Sequence, residues 1–130
     1  MNNLRTNMAA LVGIGALAIS GMATADTYVE SYTCKTEKGK TVKDVQAANA
    51  KWLSWVTDKS GVEVSSSICT AVVGNSQIFL FVDSYPSLTA WAKVQETLDA
   101  EGGEEMQMLF EGISECSENV LWKMEPTKKA

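Results

Sequence analysis

The sequence contains no histidine among its 130 residues, and its single arginine is Arg5. Without histidine, the chain has no Ser/His or Cys/His nucleophilic pair, no histidine-rich metal site and no histidine ligand for haem. The scarcity of arginine removes a common group for stabilising an oxyanion. Much of the familiar hydrolytic and metal-dependent chemistry is therefore excluded.

Cysteine is also scarce, and its three copies, Cys34, Cys69 and Cys116, lie far apart in the sequence. No C-x-x-C pair is present, which argues against a zinc site, thioredoxin-type exchange and covalent haem attachment. Three cysteines can form one disulfide, and one thiol is then left over.

The N-terminal segment, residues 1–25, has the pattern of a cleavable export signal. A short polar start with Arg5 leads into the apolar run MAALVGIGALAIS, and Ala23 and Ala25 stand where signal peptidase requires small residues. The alternative is a membrane anchor, for which the apolar run is short. We expect cleavage after Ala25, a periplasmic or secreted protein, and one domain over residues 26–130.

The charge balance of the mature chain is acidic. Removing residues 1–25 takes away the one arginine, so ten lysines face 16 acidic residues and the net charge changes from −5 to −6. This balance argues against nucleic acid or an anionic membrane surface as a partner.

The spacing of apolar residues predicts an alternation of strands and helices after residue 26. Strands are predicted over 27–34, 62–73, 77–83 and 118–125, with a tight turn at GNS, residues 74–76. Helices are predicted from Thr41 to Gly61, from Ser87 to Gly102, and over 104–114.

This order, β-α-β-β-α-(α)-β, predicts an α+β fold of the ferredoxin-like type. Right-handed crossovers give a four-stranded antiparallel sheet with strand order 4-1-3-2 and the helices on one face. The third strand is apolar on both sides, with Phe79 and Phe81 on one and Ile78, Leu80 and Val82 on the other. We therefore expect the second sheet face to be covered as well.

In element order, length and this two-faced strand, residues 27–125 resemble the dimeric α+β barrel superfamily. Its members pair two ferredoxin-like sheets face to face and include small monooxygenases, haem-degrading enzymes and proteins of unassigned role. The resemblance implies a homodimer but fixes no function. The histidine or arginine that members use in the cavity is missing here.

The stretch EGGEEMQMLFEGISEC, residues 101–116, could hold a metal or form the solvated back of a helix. Met106, Leu109, Phe110 and Ile113 recur at helical spacing, which indicates a packed helix face. The acids lack the spacing of a calcium loop, so we expect no metal site.

The tryptophans could stack on a flat ligand, but three of them lie on apolar stripes. We expect Trp52, Trp91 and Trp122 in the core and Trp55 to be more exposed.

Glu30 is the candidate catalytic residue. It shares a strand face with Tyr28 and Tyr32, and a partly apolar cavity there would raise its pKa and let it act as a base. The alternative is an acid at the wet rim of a dimer. Beyond Glu30, only Asp83 and the lysines remain for proton transfer.

Two functions of different class follow from these observations. The first, which the absence of histidine and arginine favours, is a non-catalytic exported protein that binds a small apolar or aromatic molecule or a protein partner. The second is a small cofactor-independent enzyme of the monooxygenase kind. Neither requires a cofactor or a metal.

The strand order also predicts the cysteine pairing. In a 4-1-3-2 sheet the first and last strands are antiparallel neighbours, so Cys34 at the end of one lies beside Cys116 at the start of the other. We expect these two to form a disulfide. Cys69 lies on the strand at the opposite edge and is expected to be a buried free thiol.

Overall fold

The structure is a computed structural model that describes residues 27–130. The predicted export signal lies outside the described residues. Four strands and three α-helices follow one another: β1 Thr27–Thr36, α1 Val42–Ser60, β2 Ser65–Thr70, β3 Phe79–Tyr85, α2 Leu88–Asp99, α3 Gly103–Gln107 and β4 Ser114–Met124, with a 3-10 helix at Met108–Phe110.

The strands form one antiparallel sheet in the order β2-β3-β1-β4. This is the predicted 4-1-3-2 order read from the other edge, so the predicted ferredoxin-like fold is confirmed. The order follows from the crossovers, since each strand-helix-strand unit places its second strand two positions from its first and leaves room for one strand between them.

Helix α1 begins and ends where the sequence predicts. The Thr41 backbone N–H donates to Asp44 Oδ2 at 2.7 Å, which satisfies a free amide of the first turn. Gly61 ends the helix with φ 68°, a left-handed conformation that glycine adopts without steric cost. Val45, Trp52 and Val56 are buried along one face, which packs α1 onto the sheet.

The turn between α2 and α3 requires glycine at position 103 because another part of the backbone lies very close to it. A Cβ on Gly103 would lie 1.7 Å from the backbone oxygen of Leu98, so no larger residue fits there without moving the backbone. This close approach brings α3 and the 3-10 helix down beside α1 and α2, where Met106 and Phe110 pack against the core.

The helices cover one face of the sheet, called here the covered face. Strand β3 alternates strictly, with Phe79, Phe81, Asp83 and Tyr85 buried on this side. The other side, called the open face, is lined by a set of partly or largely exposed apolar side chains. These are Val29, Leu80, Val82, Val120, Trp122 and Met124, at facing register positions of β1, β3 and β4.

Several element boundaries differ from the sequence prediction. Strand β2 is shorter than 62–73, because Val62 and Val64 enter the core before the strand starts and Val72 and Val73 lie exposed in the loop to β3. That connection spans residues 71–78 and is longer than the predicted tight turn. Strand β3 accordingly starts and ends two residues later than predicted.

The third helix is also shorter than the predicted 104–114. After Gln107 the backbone tightens into the 3-10 helix, and Gly112, with φ 71°, turns the chain into β4. Strand β4 therefore starts at Ser114 and not at Glu118. The apolar residues of 106–113 still pack as predicted, since Phe110 and Ile113 contact the core although the α-helix ends before them.

Two of the four tryptophans do not lie where the sequence predicts. Trp122 is on the open face and is 52% exposed, so its assignment to the core of the chain is wrong. Trp55, expected to be the exposed one, is half-buried against the core, while Trp52 is buried. Alternation along β4 cannot tell a covered face from an open one, which explains the error over Trp122.

Cys34 and Cys116 form a disulfide between β1 and β4. The two residues face each other in the register, just beyond a bulge at which Thr33 pairs with Glu118 and Cys34 pairs with Cys116. Cys69 is a free thiol, but it is exposed. Its predicted burial is wrong because its strand position, opposite Leu80, places it on the open face.

Within residues 27–130, no helix has the length and apolar character needed to cross a membrane.

Candidate functional site

The covered face carries an unusual row of side chains at mid-sheet. Glu30 on β1 lies directly opposite Asp83 on β3, and Ser66 on β2 continues the row beyond Asp83. Side chains at directly opposed positions have Cβ atoms about 4.5–5.5 Å apart, so two carboxyl groups here are close neighbours. We call Glu30, Asp83 and Ser66 the carboxyl row.

Glu30 is 3% exposed and accepts hydrogen bonds on both carboxyl oxygens. The Asn119 Nδ2 donates to Oε1 at 3.0 Å. Oε2 accepts from Trp91 Nε1 at 3.1 Å, from the Tyr85 hydroxyl at 3.3 Å and from Gln95 Nε2 at 3.5 Å. A buried carboxyl group normally needs hydrogen-bond donors, and the protein supplies donors to both oxygens of Glu30.

Asp83 is 4% exposed and is held from one side only. The Ser66 hydroxyl donates to Asp83 Oδ1, and the Asn49 Nδ2 in turn donates to Ser66 Oγ at 2.8 Å. No described residue donates to Asp83 Oδ2. Burial raises the pKa of Asp83 to about 6, the Ser66 hydrogen bond opposes the rise, and the Glu30 charge adds to it.

The tyrosines beside the row are also affected by it. Burial, followed by the Glu30 charge, raises the pKa of Tyr32 above its ordinary value. Burial and then the Asp83 charge raise the pKa of Tyr85 in the same direction. Both phenols therefore stay protonated at physiological pH and serve as hydrogen-bond donors.

A cavity of about 440 Å³ lies between the covered face and the helices. Asp83 and Tyr32 from the sheet, Asn49 from α1 and Gln95 from α2 supply its polar wall. The remainder is largely aromatic or aliphatic and includes Trp52, Phe81, Leu98 and Phe110. An apolar cavity with a few converging polar groups is typical of a small-molecule site.

Ser114, at the start of β4, also lines this cavity. Its Oγ is buried and has no hydrogen-bond partner within the described chain. A buried hydroxyl costs free energy unless a group in the cavity forms a hydrogen bond with it.

The structure brings together only part of the predicted site. Glu30 is buried, and not at a wet rim, but it lies behind the cavity wall; Tyr32 is in the wall. Tyr28 lies one row away, opposite Tyr85, packs on the core and does not line the cavity. The catalytic role proposed for Glu30 stays a prediction.

Sequence reasoning identified Asp83 only as a group left for proton transfer, and it gave no role to Ser66, Asn49 or Gln95. One signal for Asp83 was available, because an acid at two-residue spacing after Phe79 and Phe81 continues the apolar face of a strand. Asn49 also falls beside the apolar stripe of its helix, between Ala48 and Trp52. For Ser66 and Gln95, no local pattern marks the cavity, which the tertiary fold creates.

The described residues contain no group of three or more cysteine, aspartate or glutamate side chains placed to hold a metal ion. Glu30 and Asp83 are only two ligands, and Glu30 is already saturated with donors that would compete with a cation.

No protein-family model matches the sequence, and no curated protein matches it. Solved structures do match the fold. SnoaB from Streptomyces nogalater, described as a cofactor-independent oxygenase, is 12% identical with a TM-score of 0.59, over 79% of this chain and 97% of its own.

Two further structures have similar scores. A Bacteroides thetaiotaomicron protein of unknown function, described as a possible oxidoreductase, is 7% identical with a TM-score of 0.53, over 78% of this chain and 100% of its own. A Shewanella oneidensis protein is 13% identical with a TM-score of 0.53, over 78% and 93%. The predicted resemblance to the dimeric α+β barrel superfamily is thereby confirmed at the level of fold, and of fold alone.

Proposed function

We propose that the chain binds a small, largely apolar molecule in the cavity between the covered face and the helices. The observation that carries the proposal is Asp83, a buried carboxyl group in an otherwise largely apolar wall, with one oxygen left without a donor. The cavity volume of about 440 Å³ lies within the range of small-molecule sites, roughly 300–1,000 Å³.

The energetics of the wall support this proposal. A carboxyl group taken out of water costs several kcal/mol unless a cation or hydrogen bonds compensate. Neither Glu30 nor Asp83 forms an ion pair within residues 27–130. A leucine or phenylalanine in place of Asp83 would suit a purely structural core better, so a functional reason for the acid is favoured.

A second candidate function is a cofactor-independent oxygenase, and the position of the Asp83 carboxyl group in the cavity wall favours it. A pKa of about 6 suits a general base near neutral pH. Asp83 would accept a proton from the substrate, and the resulting electron-rich anion would react with molecular oxygen directly. The fold shared with SnoaB agrees with this chemistry but does not establish it.

In this second function we assign the base to Asp83 and not to Glu30. Asp83 lines the cavity, whereas all the donors around Glu30 hold it behind the wall. Glu30 would instead fix Tyr85, Trp91 and Asn119 around the site. Measuring oxygen consumption with candidate substrates separates the two functions, since binding alone consumes none.

The open face supports a proposed homodimer. Its apolar side chains lie on the three strands β1, β3 and β4, and Trp122 and Met124 are 52% and 54% exposed. An apolar sheet face of this kind is covered in a stable protein. A second copy, packed face to face, is the occupant that we propose.

We also propose that the protein is exported to the periplasm or secreted. The disulfide supports this location, because disulfides persist in oxidising compartments. Cleavage after Ala25, the feature on which the proposal depends most, can be read directly by N-terminal sequencing of protein purified from its own host.

Native mass spectrometry tests the binding proposal. Protein from its own host should carry a small molecule that Leu98→Phe displaces, because Leu98 lines the cavity. Leu88→Phe is the matched control, since Leu88 lies on the same helix and is 46% exposed. Retention by the control and loss by the cavity variant support the proposal. Equal retention by both, or no retained molecule and no binding of aromatic probes, would contradict it.

A further inference from the structure

The carboxyl row contains negative charge without a positive partner. Glu30 and Asp83 are opposite each other and almost fully buried, and neither meets a lysine within residues 27–130. Like charges directly opposite each other on neighbouring strands repel. A site of this kind is incomplete until something positive or proton-donating enters it.

The groups that face Asp83 from each packed element are all acidic or neutral. The sheet contributes Glu30, the two phenols of Tyr32 and Tyr85, and the hydroxyl of Ser66. Helices α1 and α2 contribute the neutral side chains Asn49, Trp52, Gln95 and Leu98 to the shared cavity, and α3 contributes Gln107. No cationic side chain lines the cavity.

The two carboxyl groups differ in what they can still bind. Glu30 accepts four hydrogen bonds from the protein and has no oxygen left for a ligand. Asp83 accepts one, on Oδ1, and its Oδ2 is without a donor in the wall of the cavity. The site thus offers one free carboxylate oxygen to a ligand.

The rest of the wall suits the apolar and cationic parts of one molecule. Trp52, Phe81, Phe110 and Tyr32 provide aromatic rings, whose faces attract cations as well as apolar groups. The side-chain oxygens of Asn49 and Gln95 are further acceptors near the carboxyl row. An anion would meet two carboxyl groups and no compensating charge.

We propose that the cavity selects a small organic cation: a primary or secondary ammonium group on an aromatic or branched apolar body, with the ammonium donating to Asp83 Oδ2. This inference rests on the proposed function as a small-molecule site and specifies its ligand class. A metal ion does not fit the same charge, because hard cations take six to eight oxygen ligands and the described residues offer no such group.

A series of three probes tests the ligand class on the unaltered protein. 2-Phenylethylamine, 2-phenylethanol and 3-phenylpropionate share an aromatic body and differ in charge. Calorimetry at pH 7.5 should give at least tenfold tighter binding of the amine than of the alcohol, because a charge-assisted hydrogen bond replaces a neutral one. The carboxylate probe should not bind measurably.

The variant Asp83→Asn assigns the effect to the proposed group. It should weaken binding of the amine by about 10- to 100-fold and change binding of the alcohol by less than about threefold. Asp99→Asn is the matched control, because Asp99 is an exposed carboxylate at the end of α2. It should leave both affinities unchanged.

The pH dependence gives an independent readout. The carboxylate form of Asp83 binds the ammonium, so lowering the pH from 7.5 to 5, through its pKa of about 6, should weaken amine binding about tenfold. Tyr32 and Tyr85 stay protonated over this range, because both have raised pKa values. Binding of the alcohol should change much less.

Three results would overturn the inference. Equal affinity for amine and alcohol, or tighter binding of the alcohol, would make the ligand a neutral donor and leave the proposed small-molecule site intact. An unchanged amine affinity in Asp83→Asn would place the cation elsewhere. Failure of all three probes to bind would exclude this ligand class, and the retained-ligand experiment on Leu98→Phe and Leu88→Phe would then decide the proposed function separately.

Discussion

The two faces of the sheet are built in opposite ways. The covered face, which is packed under helices, holds two carboxyl groups, Glu30 and Asp83, each less than 5% exposed. The open face, which nothing within residues 27–130 covers, holds apolar side chains that include Trp122 and Met124. An isolated domain normally places its charges outside and its large apolar groups inside.

The difference teaches that stability of the single chain explains neither the two carboxyl groups on the covered face nor the apolar side chains on the open face. Apolar side chains on the open face gain free energy only when another surface covers them. The acids on the covered face are buried at a cost in stability, which agrees with the proposed binding function. We therefore interpret the covered face as the binding site and the open face as the dimer interface, and each can be altered without the other.

The largest expected effect comes from the disulfide that links the inner strand β1 to the edge strand β4. Cys34 and Cys116 are 82 residues apart in sequence, and closing such a loop contributes about 4–5 kcal/mol in the chain-entropy model. Replacing both by serine should lower the free energy of unfolding by about that amount, measured by urea denaturation.

Cys69→Ser is the control for the disulfide variant, because this exposed thiol on the open face has no disulfide partner. It should leave the denaturation midpoint unchanged. If Cys69→Ser destabilised the protein as much as the double variant, the assigned pairing would be wrong.

The second prediction concerns a substitution on the open face, which leaves the covered face unchanged. Val82→Asp introduces a charge at the centre of the proposed interface, between Ser31 and Ser67 in the register, and should cost about 3–4 kcal/mol of dimer stability. Analytical ultracentrifugation should report a soluble monomer or an aggregate in place of the dimer.

Ala47→Asp, on an exposed position of α1, controls for the added charge and should stay dimeric. The idea of a dimer through the open face fails if the unaltered protein and Val82→Asp both sediment as monomers. Retained binding of an aromatic probe by the monomer would show that the two faces act independently.

The fold was predictable from the sequence because its signals are local and repeated. Thr41 and Gly61 mark the ends of α1, and the alternation of Phe79, Leu80 and Phe81 marks a strand with two apolar sides. With the handedness of crossovers, these signals leave one simple strand order. The neighbouring positions of Cys34 and Cys116 follow from that order.

The candidate site was only partly predictable, because it depends on which face the helices cover. The same alternation that identified β4 placed Trp122 in the core, although the side chain lies on the open face. Likewise, Glu30 is an evident acid on a strand, but only the register against β3 shows that Asp83 stands opposite it. Register and facing are tertiary properties that periodicity does not encode.

The third prediction measures what the buried acid costs. The pKa of Asp83 is raised from 3.8 to about 6, so the folded state binds its proton more tightly than the unfolded state does. Its contribution to stability is complete below pH 4 and is lost as the pH rises through 6, by roughly 2–3 kcal/mol in all. Asp83→Asn should therefore be more stable than the unaltered protein at pH 7.5 by about that amount.

The same two proteins should have nearly equal stability at pH 4, where Asp83 is protonated and resembles asparagine in charge. Thermal denaturation at both pH values gives the difference, in which the other titrating groups cancel. Asp99→Asn should produce no such pH-dependent gain. A variant that is less stable than the unaltered protein at pH 7.5 would mean that Asp83 stabilises the fold and is not a functional burden.

The smallest expected effect concerns Ser114, whose Oγ is buried in the cavity wall without a partner. Ser114→Ala removes the unsatisfied hydroxyl and should raise the free energy of unfolding by about 1 kcal/mol. Ser117→Ala, in the same strand, is the control: the Ser117 hydroxyl donates to the Thr33 oxygen at 3.4 Å, so its loss should be neutral or slightly destabilising. Denaturation of both variants without ligand gives the comparison. If Ser114→Ala is less stable than the unaltered protein, the hydroxyl already has a partner. If the variant is more stable, Ser114 is, after Asp83, a second polar residue that the covered face retains at the expense of stability.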